Sequence, residues 1–347
     1  MKKIILGMAV LVSLCLGGIA QAVTIATVPV GNAGNAGDYR YGSGQGYGGL
    51  ASYGSVGYNY NIGKYEVTAG QYTEFLNAKA NVSDTYGLYN PNMSNTSYGS
   101  GITQTWASGS YTYSVASAFV NRPVNCVNYW DSCRFANWLG NGQGAGSTET
   151  GAYTLGGYNG IDGRTIQRNA NWKWAVTSED EWYKAAYYKG GNTTAGYWDY
   201  PTSSNTAPGQ DMADVSGNNA NYYTAPYAYP IDSGKYTTVV GEFQNSDSPY
   251  GTFDQGGNVW EWNEAIVYQD VNYAYRGLRG GAFGSDYSLD LQASGRSYYY
   301  GGSGPGVEVY SIGFRVSQVV PEPSSFIALS ACLISMLGIR KRRSVNQ

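Results

Sequence analysis

The stretch from Tyr250 to Trp262, YGTFDQGGNVWEW, restricts the backbone more tightly than any other part of the chain. Two adjacent glycines, Gly256 and Gly257, permit positive φ and close backbone approach, so Asp254 and Glu261 can converge across a sharp bend. Their carboxylates, together with main-chain carbonyls near Gly257 and Val259, would form the mixed oxygen set that calcium favours. The same residues also read as an ordinary Gly-Gly-Asn turn. In that reading, Trp260 and Trp262 alternate with Val259 and Glu261 along one half-buried strand.

What surrounds this bend cannot be a helical bundle, because 49 of the 347 residues are glycine and only 13% are charged. Glycine penalises helix interiors, and long apolar runs of helical period are missing. An apolar fraction of 42%, with nine tryptophans, still suffices for a core, which points to a loop-rich α+β domain rather than disorder. The chain contains no histidine, which excludes imidazole bases, histidine triads and histidine-ligated zinc or iron. Between residues 23 and 320 there are 15 basic and 23 acidic residues, a formal charge of −8 that argues against nucleic acid as a partner.

Both ends carry address-like segments. Lys2 and Lys3, an apolar run from Ile4 to Ile19 and then Ala20-Gln21-Ala22 have the layout of a signal peptide spanning residues 1–22, with a cut expected after Ala22 and export as the consequence. At the other end Pro321-Glu322-Pro323 precedes an apolar run from Phe326 to Ile339 and the basic cluster Arg340 to Arg343. That order predicts a membrane-held tail with its basic end in the cytoplasm.

Between the ends, Thr68 and Gln71 form a capping box ahead of Tyr72, Phe75 and Leu76, which share one helical face. Residues 81–120 read as a long polar surface excursion carrying Tyr86, Tyr89, Trp106, Tyr111 and Tyr113, a candidate recognition loop. Asp131 is expected to cap a helix that runs to Leu139 and stops at Gly140. Cys126 and Cys133 stand too far apart in sequence for an easy bridge and are expected as buried free thiols. Ser178 and Glu181 form a second capping box, with Glu179, Asp180 and Glu181 suited to the positive end of the helix. A strand is expected over Tyr236 to Phe243.

Several of these segments, in order, resemble the formylglycine-generating enzyme (sulfatase-modifying factor) family. Besides YGTFDQGGNVWEW they are Tyr65-Glu66-Val67-Thr68, Arg122-Pro123-Val124 through Trp138-Leu139, Ser178-Glu179-Asp180-Glu181-Trp182, Arg279-Gly280-Gly281 and Gly313-Phe314-Arg315-Val316. The resemblance covers about residues 27 to 318 and implies a single loop-rich domain over 23–318, of the C-type-lectin-like type. It further implies two calcium sites. Asn221 and Asp232 side chains with the Tyr222 and Gly234 carbonyls would form one, and Asp254, Gly257, Val259 and Glu261 the other. Catalytic members carry two cysteines after the Arg-Gly-Gly motif, which bind copper(I) and oxidise a substrate cysteine with dioxygen. Here those positions read Ser285 and Asp290, oxygen donors poorly suited to copper(I). No catalytic residue is therefore assigned.

The C-terminal segment, residues 319–347, resembles the PEP-CTERM sorting signal, which implies processing at Pro321-Glu322-Pro323 by an exosortase-type enzyme. The combined expectation is an exported, non-catalytic domain at the cell envelope or extracellular surface. It would bind an exopolysaccharide or a surface protein. Two enzyme readings stand against it: a formylglycine-generating oxidase using Cys126 and Cys133, or a carbohydrate-active hydrolase using an Asp/Glu pair.

Overall fold

The computed structural model describes residues 22–41, 52–164, 166–223, 231–285, 288–298 and 304–320. Three antiparallel pairings build the main sheet from β1 (Thr27–Val30), β2 (Tyr60–Gly63), β9 (Val316–Val319) and β5 (Trp174–Val176), in that order. The last strand thus lies between two earlier ones and closes the domain. A second sheet pairs β6 (Trp260–Gln269) with β7 (Ala274–Arg279) antiparallel and with the short β8 (Ile312–Gly313) parallel.

Helix α1 (Ala69–Lys79) starts where the capping box places it. Thr68 Oγ1 accepts from the Gln71 N–H at 3.3 Å, and Gln71 Oε1 accepts from the Thr68 N–H at 2.9 Å. Helix α2 (Tyr129–Gly140) departs from expectation at both ends. Asn128, not Asp131, is its N-cap, because Asn128-Tyr-Trp-Asp131 is itself a capping box: each side chain accepts from the other's backbone N–H at 3.0 Å. Gly140 lies inside the helix, which ends at Asn141. Every residue from Tyr129 to Leu139 is buried, the mark of a helix packed on all sides. Phe75 of α1 meets Phe135 and Trp138 of α2 at 5.4 and 5.2 Å between ring centroids, and Phe135 meets Phe314 at 5.4 Å. This aromatic seam joins the helices to the C-terminal motif. Helix α3 (Glu179–Tyr187) begins at the expected Ser178–Glu181 box.

Residues 81–120 are not a structureless loop. They hold a β-hairpin of β3 (Ile102–Ala107) and β4 (Ser110–Val115), joined by Ser108 and Gly109, whose φ values of 53° and 84° suit a two-residue turn matched to strand twist. Ile102 and Tyr113 are buried, while Thr103, Thr105, Thr112 and Ser114 on the opposite face are exposed. Asn77 of α1 clamps the hairpin, exchanging two 2.9 Å hydrogen bonds with the backbone of Tyr113.

The strand expected over 236–243 does not form. The backbone N–H groups of Tyr236 and Val240 donate to Ser97 and Asn121 carbonyls and that of Thr238 to Asn258 Oδ1, so three different segments hold it and no ladder can grow. Residues 1–21 of the leader, the Pro321-Glu322-Pro323 motif and the apolar tail lie outside the described residues, among which no helix is long and apolar enough to cross a membrane.

Candidate functional site

The bend at 254–258 places three consecutive motifs against one another. Asp254, Gly257 and Asn258 adopt left-handed φ of 59°, 83° and 59°, whereas Gly256 does not and is instead required by its closeness to Pro201, 2.7 Å from where a Cβ would lie. A Cβ on Gly257 would fall 2.2 Å from the Asn221 carbonyl oxygen, so only glycine lets the Asn221 backbone approach. Asn258 N–H donates to that carbonyl at 2.7 Å, Gly257 N–H to the Gly280 carbonyl at 2.8 Å, and Phe283 N–H to the Asn258 carbonyl at 3.0 Å. Asn258 is the hub: its Oδ1 accepts from Thr238 N–H at 3.0 Å and Asn221 Nδ2 at 3.2 Å, and its Nδ2 donates to Glu66 Oε1 at 3.2 Å.

Two fully buried carboxylates, Glu66 and Glu261, and the half-buried Asp254 surround a single arginine, Arg315. Arg315 donates from Nε to Glu261 Oε2 and from a terminal nitrogen to Oε1, each at 2.6 Å, and Trp182 Nε1 adds a third bond to Oε2 at 2.8 Å. Asp254 Oδ2 accepts from Gly241 N–H at 2.6 Å, yet burial pushes its carboxyl up to about 6. Burial, with the charge of Asp254 added, raises Glu66 well above the usual range against the opposing effect of Arg315. Sequence reasoning missed Glu66 and Arg315 as members of this cluster. Both lay inside family-like motifs, with no signal of what they face.

As a calcium set, Asp254, Gly257, Val259 and Glu261 do not fit, because the Glu261 carboxylate is already neutralised by a two-pronged arginine, both partners being fully buried. In the other set Arg122 pairs with Asp232, and the Tyr222 carbonyl accepts from Gln210, but the buried Asn221 Oδ1 has no hydrogen-bond partner. The Gly234 carbonyl belongs to an exposed turn. Among the described residues no group of three or more Cys, Asp or Glu side chains is arranged to hold a metal ion.

Ser285 and Asp290 both reach the bend after Arg279. At Gly281, with φ 75°, a Cβ would lie 3.2 Å from Ser285 Oγ and 3.1 Å from Asp290 Cβ. Ser285 Oγ accepts from Ala282 N–H at 3.0 Å. The two thiols are elsewhere and unbridged. Cys126 sits beside Val309, to whose carbonyl its N–H donates at 3.1 Å, and Cys133 sits against Tyr129 on α2. Burial pushes Cys126 up to about 12 and raises Cys133 further, so both are protonated at neutral pH.

The acidic start of α3 was expected to act through the helix dipole, but each side chain has its own partner. Glu179 is held by Arg279 at 2.9 Å and Arg296 at 2.7 Å, Glu181 by Arg168 at 2.7 Å, and Asp180 accepts from Gly54 N–H at 2.7 Å. Burial alone would raise Glu179 and Glu181, but the arginines overcome it and hold both below the ordinary range. Glu179 and Glu181 thus serve as counter-charges to arginines, while Asp180 is held by a backbone N–H.

Comparison with solved structures finds the same architecture elsewhere. CarF is 20% identical, with a TM-score of 0.52 over 86% of this chain and 99% of its own. The Treponema denticola variable protein 1 is 20% identical, with a TM-score of 0.51 over 86% of this chain and 96% of its own. At these identities the likeness concerns the fold alone. No curated protein matches the chain. The model of the sulfatase-modifying factor enzyme 1-like domain matches residues 34–319, which includes both sheets' C-terminal strands, all three helices and the bend. The chain therefore belongs to the formylglycine-generating-enzyme, or sulfatase-modifying factor, family.

Proposed function

We propose that this chain is an exported binding domain and not a formylglycine-forming oxidase. One observation carries the reading: the positions resembling the family's copper-binding cysteines are Ser285 and Asp290, and both flank Gly281 at the bend where a thiolate pair would be needed. Hydroxyl and carboxylate oxygens bind copper(I) poorly, and serine cannot form a mixed disulfide with a substrate cysteine. Cys126 and Cys133 offer no substitute, being buried and protonated.

The ligand we infer is a neutral surface polysaccharide. From Ile102 to Val115 there is no charged residue, and at the tip Trp106, 56% exposed, packs against the Tyr111 ring at a tilt of 58°, with 4.5 Å between centroids. A flat, exposed ring beside the Tyr111 ring suits the apolar face of a sugar. A C-type-lectin-like fold type is in keeping with this role. The same reading includes passage through the membrane, retention by the C-terminal segment at the cell envelope, and processing at Pro321-Glu322-Pro323 by an exosortase-type enzyme. It rests on the layout of the two terminal segments. Calcium belongs to it as a ligand of the Asn221, Tyr222, Asp232 and Gly234 set, supported by the partnerless Asn221 Oδ1.

Incubation with copper(I), dioxygen and a sulfatase-type cysteine peptide should yield no aldehyde. Immobilised matrix polysaccharide from the producing cells should retain the protein but not Trp106→Ala. Aldehyde formation that disappears in Cys126→Ser or Cys133→Ser would overturn the non-oxidase reading, and equal retention of Trp106→Ala would overturn the hairpin as the contact.

A further inference from the structure

Val23 enters the fold by way of a side chain far along the chain. Its N–H donates to Gln143 Oε1 at 2.6 Å, and Gln143 Nε2 donates back to the Val23 carbonyl at 2.8 Å. Gln71 Nε2 holds the next residue, donating to the Thr24 carbonyl at 2.9 Å. Gln143 adopts a left-handed φ of 64° just beyond α2, a conformation that costs free energy for any residue with a Cβ. One amide side chain in a strained backbone thus reads both backbone groups of Val23. Residues 22–24 also line an open groove of about 690 Å³ in which Glu74 is the one charged lining residue. Ala22, the last residue of the small-x-small sequence, is exposed.

We propose that the Ala22–Val23 peptide bond is cut during export and that Gln143 then seats the new α-ammonium group of Val23. Hydrolysis by a signal-peptidase-type enzyme adds the hydroxyl of water to the Ala22 carbonyl carbon and its proton to the Val23 nitrogen. The Val23 nitrogen leaves as an amine and takes up a further proton from solvent. The peptide N–H has one proton to donate, whereas the ammonium group has three. One stays on Gln143 Oε1, and the others face the groove that holds Glu74. Charge-assisted N–H···O bonds are shorter than neutral ones, and 2.6 Å already accommodates that contact. Processing would in this way complete the fold instead of merely trimming it. The inference rests on the export reading.

The test combines N-terminal sequencing of the protein isolated from its own cells with melting temperatures of two chains. One begins at Val23, and the other carries a Gly-Ser extension before Val23. Each is compared with its Gln143→Glu variant, which offers a carboxylate to whatever Val23 nitrogen presents. Val23 should be the first residue found. The response to Gln143→Glu should be more favourable in the Val23-first chain than in the extended chain by about 2 °C, because only the former presents an ammonium group. Met1 as first residue would overturn the processing step together with export, and any other first residue would overturn the cut after Ala22 and leave export standing. Val23 as first residue with the same response in both chains would refute the ammonium seat and leave export standing.

Discussion

Arg315 and Glu261 are both without solvent exposure and are joined by two 2.6 Å hydrogen bonds. Removing one partner of such a pair leaves a charge buried without compensation, which costs about 3–5 kcal/mol, more than most single substitutions. Arg315→Met should therefore lower stability by that amount in urea titration. Glu261→Gln in the same background should recover part of the loss. Asn221 presents the opposite case, a buried oxygen with no partner. If calcium is what that oxygen binds, added calcium should raise the melting temperature of the parent, and Asn221→Ala should remove the gain. No calcium-dependent shift in the parent would defeat the calcium assignment. Asp254→Asn should leave the shift in place, since that carboxylate is turned to Gly241 N–H.

Helix α2 shows how an element can be right in place and wrong in detail. Its apolar residues and a nearby cap were legible, yet Asp131 sits at the third helical position and faces inward, with Oδ1 lacking a hydrogen-bond partner. Burial raises its pKa well above the usual carboxylate range, and the neighbouring Glu308 adds to the shift. A carboxyl whose folded pKa exceeds its unfolded value contributes fully below the unfolded pKa and loses that contribution as pH rises. Asp131→Asn keeps an acceptor for the Asn128 N–H without the titrating group, so its melting temperature relative to the parent should improve between pH 5 and pH 8. Asp131→Ala also loses the reciprocal cap and should be about 1 kcal/mol less stable than Asp131→Asn at either pH. An Asp131→Asn variant whose difference from the parent does not change with pH would show that the carboxyl is not carried protonated in the fold.

Across the whole molecule the titrating groups fall into two opposed sets. Glu149, Glu179 and Glu181 are lowered by their arginines against the effect of burial, so their contribution is present above the unfolded pKa and is lost as pH falls through the folded value. Glu66, Asp131 and Glu308 are raised by burial, as is Asp180, to about 6, and their contribution declines as pH rises. The two trends cross in mildly acidic solution, and calorimetry from pH 3 to pH 9 should place maximum stability near about pH 5. A maximum above about pH 7 would mean that the raised carboxyls are ionised at little cost. The closing arrangement of the main sheet is likewise a property of the whole: β9 pairs with β2 and β5, so Val316 at the end of the Gly313-Phe314-Arg315-Val316 motif enters the middle of that sheet, while Gly313 ends β8 at the edge of the other.

What the sequence by itself determined was local or held in ordered motifs. The Thr68–Gln71 and Ser178–Glu181 boxes are contacts between residues three apart, so their helices start where the letters say. The glycine bend and the family likewise followed from short, ordered segments. Tertiary structure alone decided which charge faces which: Arg315 reaches Glu261 across 54 residues, and Asn258 reaches Glu66 across 192. No spacing rule encodes such a pair, because packing selects it from many chemically equal candidates. The β3–β4 hairpin was hidden for a related reason. Thr103, Gln104 and Thr105 are polar on both faces, and Tyr111 and Tyr113 carry hydroxyls, so alternation of burial appears only once Ile102 and Tyr113 have a helix to pack against.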